Sequence, residues 1–195
     1  KVEKAKANTV LVKNLLCKDF NVRQNGESSW LTYQEVDNPN TFEIEQLKPK
    51  YAIGGVDLSR NTDLTSACMM FMIPNDNTIY VEQMYWLPED LLEQRVQEDK
   101  VPYDIWHVQG KLRLSEGKEV HPKHITEWFI EMQSKHNCYF YMIGYDGWSA
   151  KYWIEEMEGY FGKNTITPVI QGAKTLSLPM QSLAAQLKSK NVNYN

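Results

Sequence analysis

The stretch Tyr51-Ala52-Ile53-Gly54-Gly55-Val56-Asp57-Leu58 decides how the chain is read. An apolar run with two glycines inside it predicts a buried strand that other groups approach closely. Downstream, Ser66 to Ile73 is a second run, and Pro74-Asn75-Asp76-Asn77 is a strong turn signal. Thr78 to Trp86 then alternates and returns as a third strand, so the first three predict an antiparallel meander. Upstream, residues 1–50 differ in character: Lys1 to Lys18 is basic, and Asn21 to Asn40 is polar with Asn38-Pro39 near its end. They read as a linker or arm that packs on something else, with the core starting near Tyr51.

Beyond the meander, Pro88 fits the first position of a helix through about Glu98, with Leu91, Leu92 and Val96 on one face. Residues 99–121 read as an excursion of extended pieces and a hairpin. His121 to Lys135 is a helix, because Ile125, Trp128, Phe129 and Met132 fall at i, i+3, i+4 and i+7. Tyr139 to Tyr145 is a buried strand ending at Asp146. Ser149 to Phe161 is helical with Tyr152, Trp153, Met157 and Tyr160 as apolar positions, and Thr165 to Ile170 is a fifth strand. Met180, Leu183, Ala184 and Leu187 repeat the helical spacing in a last helix from about Pro179 to Lys190. This order is that of an α/β ribonuclease H-like fold: a mixed sheet of three antiparallel strands then two parallel ones, flanked by helices, with the fourth strand beside the first. Other α/β folds share the order.

Composition narrows the function classes. The chain has 195 residues, 42% of them apolar and 24% charged, with a net charge of -4. That is a globular mixture without a disordered or collagenous bias. The acidic balance argues against a protein that coats nucleic acid by charge alone, but not against one that meets DNA through metal ions. Cys17, Cys68 and Cys138 lie far apart with no CxxC, which speaks against a disulfide framework or a cysteine zinc site and fits a reducing cytosol. No signal peptide is recognisable, and no apolar run reaches the roughly 18 residues of a membrane span.

Chemistry gathers on two aspartates. Asp57 and Asp146 each end an otherwise apolar strand, where a carboxylate is costly unless its charge is compensated. If the first and fourth strands are neighbours, the two converge at one sheet edge. Such a pair suits hard cations, Mg²⁺ or Mn²⁺, which take oxygen ligands and leave positions open for substrate and water. Gly54, Gly55 and Gly147 leave room for a bulky substrate. Turn or helix-capping aspartates remain an alternative, since Asp57-Leu58-Ser59 and Asp146-Gly147 are good turn chemistry. Asp63 is either a further metal-proximal group or an Asx turn. His121 and His124, spaced i, i+3 without an HExxH pattern, read as solvated first-turn residues. Gly162-Lys163-Asn164 lacks the upstream glycine and the Ser or Thr of a Walker A loop, and no Gly-x-Ser-x-Gly elbow is present.

Taken together, several motifs in family order resemble the C-terminal nuclease domain of the tailed-phage terminase large subunit. They are Gly54-Gly55-Val56-Asp57-Leu58-Ser59 with Asp63-Leu64-Thr65, Trp86-Leu87-Pro88-Glu89, and Val101-Pro102-Tyr103-Asp104-Ile105-Trp106 with Gly110. Gly144-Tyr145-Asp146-Gly147-Trp148, Gln171-Gly172 and Leu176-Ser177-Leu178-Pro179-Met180 complete the set, which covers residues 51–183.

The resemblance implies a metal-dependent endonuclease that cuts concatemeric viral double-stranded DNA around genome packaging by two-metal hydrolysis. Asp57 would be the first metal-binding aspartate and Asp146 the second, serving as the catalytic pair with two Mg²⁺ or Mn²⁺ ions. Residues 1–50 would be the connector after a packaging ATPase domain absent from this chain, and residues 51–195 the nuclease domain. The family's third acidic ligand lies further along, and nothing matching it occurs before Asn195, so the domain is expected to be truncated at its C-terminus. Arg60, Lys151 and Lys174 could meet DNA phosphates, or be solvated surface charges. The portal protein and small terminase subunit are the implied partners, and the host cytoplasm is the implied location. Two other readings stand beside this one: a non-cleaving module that docks the packaging motor, and another nuclease of the same fold such as a resolvase.

Overall fold

A computed structural model describes residues 30–58, 64–146 and 151–194, with Lys151 described by its backbone alone. After two single-turn helices, α1 (Tyr33–Val36) and α2 (Ile44–Leu47), come β1 (Tyr51–Asp57), β2 (Thr65–Phe71) and β3 (Ile79–Pro88). A 3-10 turn at Glu89–Leu91 leads into α3 (Leu92–Asp99), α4 (Tyr103–Val108) and β4 (Leu112–Ser115). The chain then alternates through α5 (Lys123–His136), β5 (Tyr139–Asp146), α6 (Lys151–Phe161), β6 (Ile166–Val169), α7 (Ala173–Lys188) and β7 (Val192–Tyr194). The strands form one seven-stranded sheet of order β4-β3-β2-β1-β5-β6, with β7 joining β3. The meander β1-β2-β3 is antiparallel, and β5 lies parallel to β1 as the element order predicts.

Helix α5 fills one face. Its stripe of Ile125, Trp128, Phe129 and Met132 is buried, and Trp128 meets Trp86 edge-on at 6.1 Å between ring centres. Contact with β1 is close enough that a Cβ on Gly54 would lie 2.7 Å from the Phe129 ring, so only glycine fits there. Trp153 and Met157 of α6 are buried as well. The opposite face carries a smaller cluster at the β3–β4 end, where Leu87, Tyr103 and Leu112 are buried and Tyr85, Leu92, Val96 and Trp106 pack around them.

Four features differ from the sequence reading. The segment 99–121 holds helix α4 and strand β4, not a hairpin: Pro102 caps α4, and β4 extends β3 in parallel. Tyr152 and Tyr160, expected among the packed positions of α6, point outward at 85% and 61% exposure. Helix α7 has the predicted spacing but buries none of its residues, because it links strands at opposite edges of the sheet without packing into the core. The core also starts before Tyr51. Ile44 is buried, and Phe42 meets Phe71 and Tyr80 edge-on at 5.8 and 5.1 Å.

The described part of the arm is fastened further by the end of the chain. Lys190 Nζ donates to the carbonyls of Gln34, Glu35 and Asp37, Asn38 Nδ2 donates to the Val192 carbonyl at 2.8 Å, and Lys188 pairs with Glu35 at 3.2 Å. Cys68 and Cys138 are free thiols, and burial pushes Cys138 up to about 11. Among the described residues no helix is long and apolar enough to cross a membrane.

Candidate active site

Parallel pairing of β1 with β5 fixes the relation between the two aspartates. Gly55 lies beside Gly144 and Val56 beside Tyr145, so Asp57 and Asp146 occupy the next positions on neighbouring strands. Residues side by side in a parallel ladder project to the same face, and adjacent strands are about 4.8 Å apart. Val56 and Tyr145 turn toward the α5–α6 core, so alternation places both carboxylates on the opposite face. Asp57 is exposed and Asp146 half-buried, at the ends where β1 and β5 finish.

Beside them lie two glycines covered by neighbouring side chains. One step back along the strands on the same face lie Gly144 and Gly55, where added Cβ atoms would come within 3.0 Å of Val169 Cγ2 and Cys68 Sγ respectively. Two glycines in register let the Val169 and Cys68 side chains pack close over the strands next to the carboxylates.

The antiparallel pairings extend this row sideways. Asp57 faces Ser66 across β1–β2, and Ser66 faces Tyr85 across β2–β3. In the next row, Gly55 faces Cys68, which faces Gln83. Tyr85 Oη donates to Gln83 Oε1 at 2.8 Å, joining the two rows. Burial raises the Tyr85 hydroxyl, with the neighbouring Cys68 adding to it; burial also raises the Cys68 thiol, against a backbone hydrogen bond from Gly55. Both groups are neutral near pH 7 and act there as hydrogen-bonding groups, not charges.

Donor chemistry suits a hard divalent cation at the aspartate pair: two carboxylates on adjacent strands, on one face, Asp57 exposed among the described residues. Among the described residues no group of three or more His, Cys, Asp or Glu side chains converges, so the pair is the whole acidic set in view. Asp63 and Arg60 lie outside the described residues, as does the side chain of Lys151. Lys174 sits exposed in the first turn of α7, shortly after the end of β6, which pairs Val169 with Asp146. His121 is exposed, and His124 lies 3.4 Å from Glu127 on the surface of α5, far from a ligand cluster. Ser66, Gln83 and Tyr85 carried no motif. Alternation along β2 and β3 is the signal for them, and it becomes readable once the register with Asp57 is known.

The sequence matches the family described as "Terminase large subunit, endonuclease domain" over residues 1–195. A stretch of 72 residues is 36% identical to the large terminase subunit of Enterobacteria phage HK97, covering 37% of this chain and 14% of that protein. The crystal structure of the HK97 bacteriophage large terminase superposes with a TM-score of 0.71 at 20% identity, over 98% of this chain and 39% of that one. The nuclease domain of the g2p large terminase of bacteriophage SPP1, solved with bound Mn, aligns at a TM-score of 0.47 and 12% identity, over 82% and 68% of the two chains. The chain thus spans a minor share of the HK97 relatives' length, and its mixed sheet with flanking helices has the ribonuclease H-like fold.

Proposed function

Since the chain belongs to the terminase large subunit endonuclease domain family, we propose that it cuts double-stranded DNA by metal-dependent phosphodiester hydrolysis at Asp57 and Asp146. The observation that supports this reading most is the in-register placement of both carboxylates on one face beside Gly55 and Gly144. Divalent ions held there, Mg²⁺ or Mn²⁺, would supply an activated water and stabilise the pentacoordinate phosphate. Asp57 and Asp146 would hold the ions from two rigid strands. With two carboxylates in view, a second ion would be held weakly, and Asp63 is a further candidate ligand.

Cutting concatemeric viral DNA at packaging, in a host cytoplasm and beside a portal and small subunit, is the setting the family suggests. Residues 1–50 would connect to a packaging ATPase, although residues 42–47 pack into the nuclease fold itself. Arg60, Lys151 and Lys174 are candidate phosphate contacts. A second reading is a module that docks the motor without cutting.

Nicking of supercoiled plasmid tests the two. With Mn²⁺ or Mg²⁺ present, wild type should nick with little sequence preference, and Asp57→Asn or Asp146→Asn should lose at least 100-fold while melting, in metal-free buffer, at the wild-type temperature. Cleavage at the wild-type rate by either variant would remove the metal-site assignment. A wild-type chain that binds portal or small subunit but never cuts would support the docking reading.

A further inference from the structure

A polar row leads away from the acidic pair toward β3, and nothing in the reaction outlined above uses it. Ser66 stands directly opposite Asp57, and Tyr85 directly opposite Ser66, so the row Asp146–Asp57–Ser66–Tyr85 crosses four strands on one face. From Asp57 to Tyr85 is two strand spacings, about 10 Å. Behind it lies the row Gly144–Gly55–Cys68–Gln83, with Val169 and Cys68 packed close over its two glycines. Tyr85 is anchored from behind, packed against the Leu87–Tyr103–Leu112 cluster that closes this face at the β3–β4 end.

Hydrogen-bond inventory gives the row a polarity. Gln83 Oε1 accepts from Tyr85 Oη at 2.8 Å, which turns the amide so that its Nε2 group keeps two donors for another acceptor. Ser66 contributes a hydroxyl that can donate as well. Neutral donors on strands, next to carboxylates that would repel an anion without metal, suit a phosphate oxygen of a strand lying across the sheet. Basic side chains are absent from the row, so it would position a strand without attracting it from a distance.

We propose that Ser66 and Gln83 form a phosphate-contacting subsite for the nucleic-acid strand, one step from the phosphate at the acidic pair, with Tyr85 as the positioning residue that holds the Gln83 amide. This rests on the nuclease reading and adds a strand direction to it: the bound strand runs from the aspartates across β2 toward β3.

The test measures anisotropy of a labelled, hydrolysis-resistant phosphorothioate duplex in Mn²⁺, and Mn²⁺ affinity by electron paramagnetic resonance, on the full chain. Ser66→Ala and Gln83→Ala should each weaken DNA binding about ten- to a hundredfold, the loss of one hydrogen bond to a charged oxygen. The slope of affinity against salt should stay the same, since neutral donors release no counterions. Tyr85→Phe, which keeps the ring, should weaken binding only while Gln83 is present. Gln83→Lys should tighten binding and steepen the salt slope, a gain that a damaged fold would not give. Mn²⁺ affinity should be unchanged in all four.

DNA affinities of Ser66→Ala, Gln83→Ala and Gln83→Lys within twofold of wild type would overturn the subsite. If Asp57→Asn still abolished Mn²⁺ binding in that case, the nuclease reading would stand alone. A wild-type chain with no Mn²⁺ affinity would remove the nuclease reading, and the subsite with it.

Discussion

Gly54 shows how much a single position constrains this fold. Its missing side chain lets β1 sit against Phe129 and Ile143, where a Cβ would come within 2.7 and 2.9 Å. Gly54→Ala forces the fully buried Phe129 ring or the strand to move, so it should destabilise the fold by about 1–3 kcal/mol in a denaturant titration. A change below 0.5 kcal/mol would mean that the helix yields freely. His136 gives a pH prediction. Its side chain is 3% exposed at the end of α5, and burial holds its pKa below the ordinary value despite Glu45 at 3.6 Å. The unfolded chain therefore binds the proton more readily, and stability rises with pH between the two values. The His136 contribution is complete above the ordinary imidazole range near 6.5 and is lost as pH falls from there. Melting measured at pH 7.5 and 5.5 should show a smaller drop for His136→Gln than for wild type, and equal drops would contradict this. At this scale Asp57 and Asp146 stand out in the sequence as candidates, since a carboxylate closing an apolar strand differs from its neighbours, and the structure sets them on adjacent strands. Ser66 and Gln83 were not legible, because nothing local distinguishes them from any half-buried strand residue.

At the scale of elements, local signals were strong where they were long. The four-position stripe of α5 and the Pro74-Asn75-Asp76-Asn77 turn both appear where expected, and Asp76 accepts from Thr78 N–H at 2.8 Å within that turn. Shorter elements escaped. Strand β7 spans Val192–Tyr194, too few residues for a period to show, and it exists through pairing with Ile79–Val81. Helix α7 has the periodicity of a packed helix and no packed face, since periodicity reports only that a face is apolar and not whether another element covers it. The end of the chain and the arm hold each other through Lys190, whose ammonium collects three carbonyls of residues 34–37. Lys190→Met should release that end, raising amide hydrogen exchange at Val36 and Asp37 severalfold while leaving α5 and β5 protected. Unchanged exchange at those amides would show that Asn38, with Tyr194 Oη donating to the Val36 carbonyl, suffices to hold the arm.

For the whole molecule, strand order does what no single motif does: it brings residues far apart in the chain to adjacent positions on one face. The meander and the later parallel strand were legible from turn signals and apolar runs, and β5 lies beside β1 as that order predicts. What the sequence could not supply was register. Sliding β5 by one residue would put Asp146 on the core face, and only three-dimensional packing against α5 decides between the two. Metal binding at the proposed site would couple it to global stability. At a free Mn²⁺ concentration about 100 times its Kd, binding adds about 2.7 kcal/mol. For a domain of this size that corresponds to a rise in Tm of roughly 5–10 °C. Chelation should reverse the rise, and Asp57→Asn should not show it. Equal Tm values with and without Mn²⁺ in wild type would indicate that the carboxylates bind no ion in the folded state.

The most direct measurement is an anomalous difference map from crystals of this chain soaked in Mn²⁺. A peak within coordination distance of carboxylate oxygens from both Asp57 and Asp146 is the predicted result. A map with no density between the two side chains, at Mn²⁺ concentrations that support cleavage, would contradict the account.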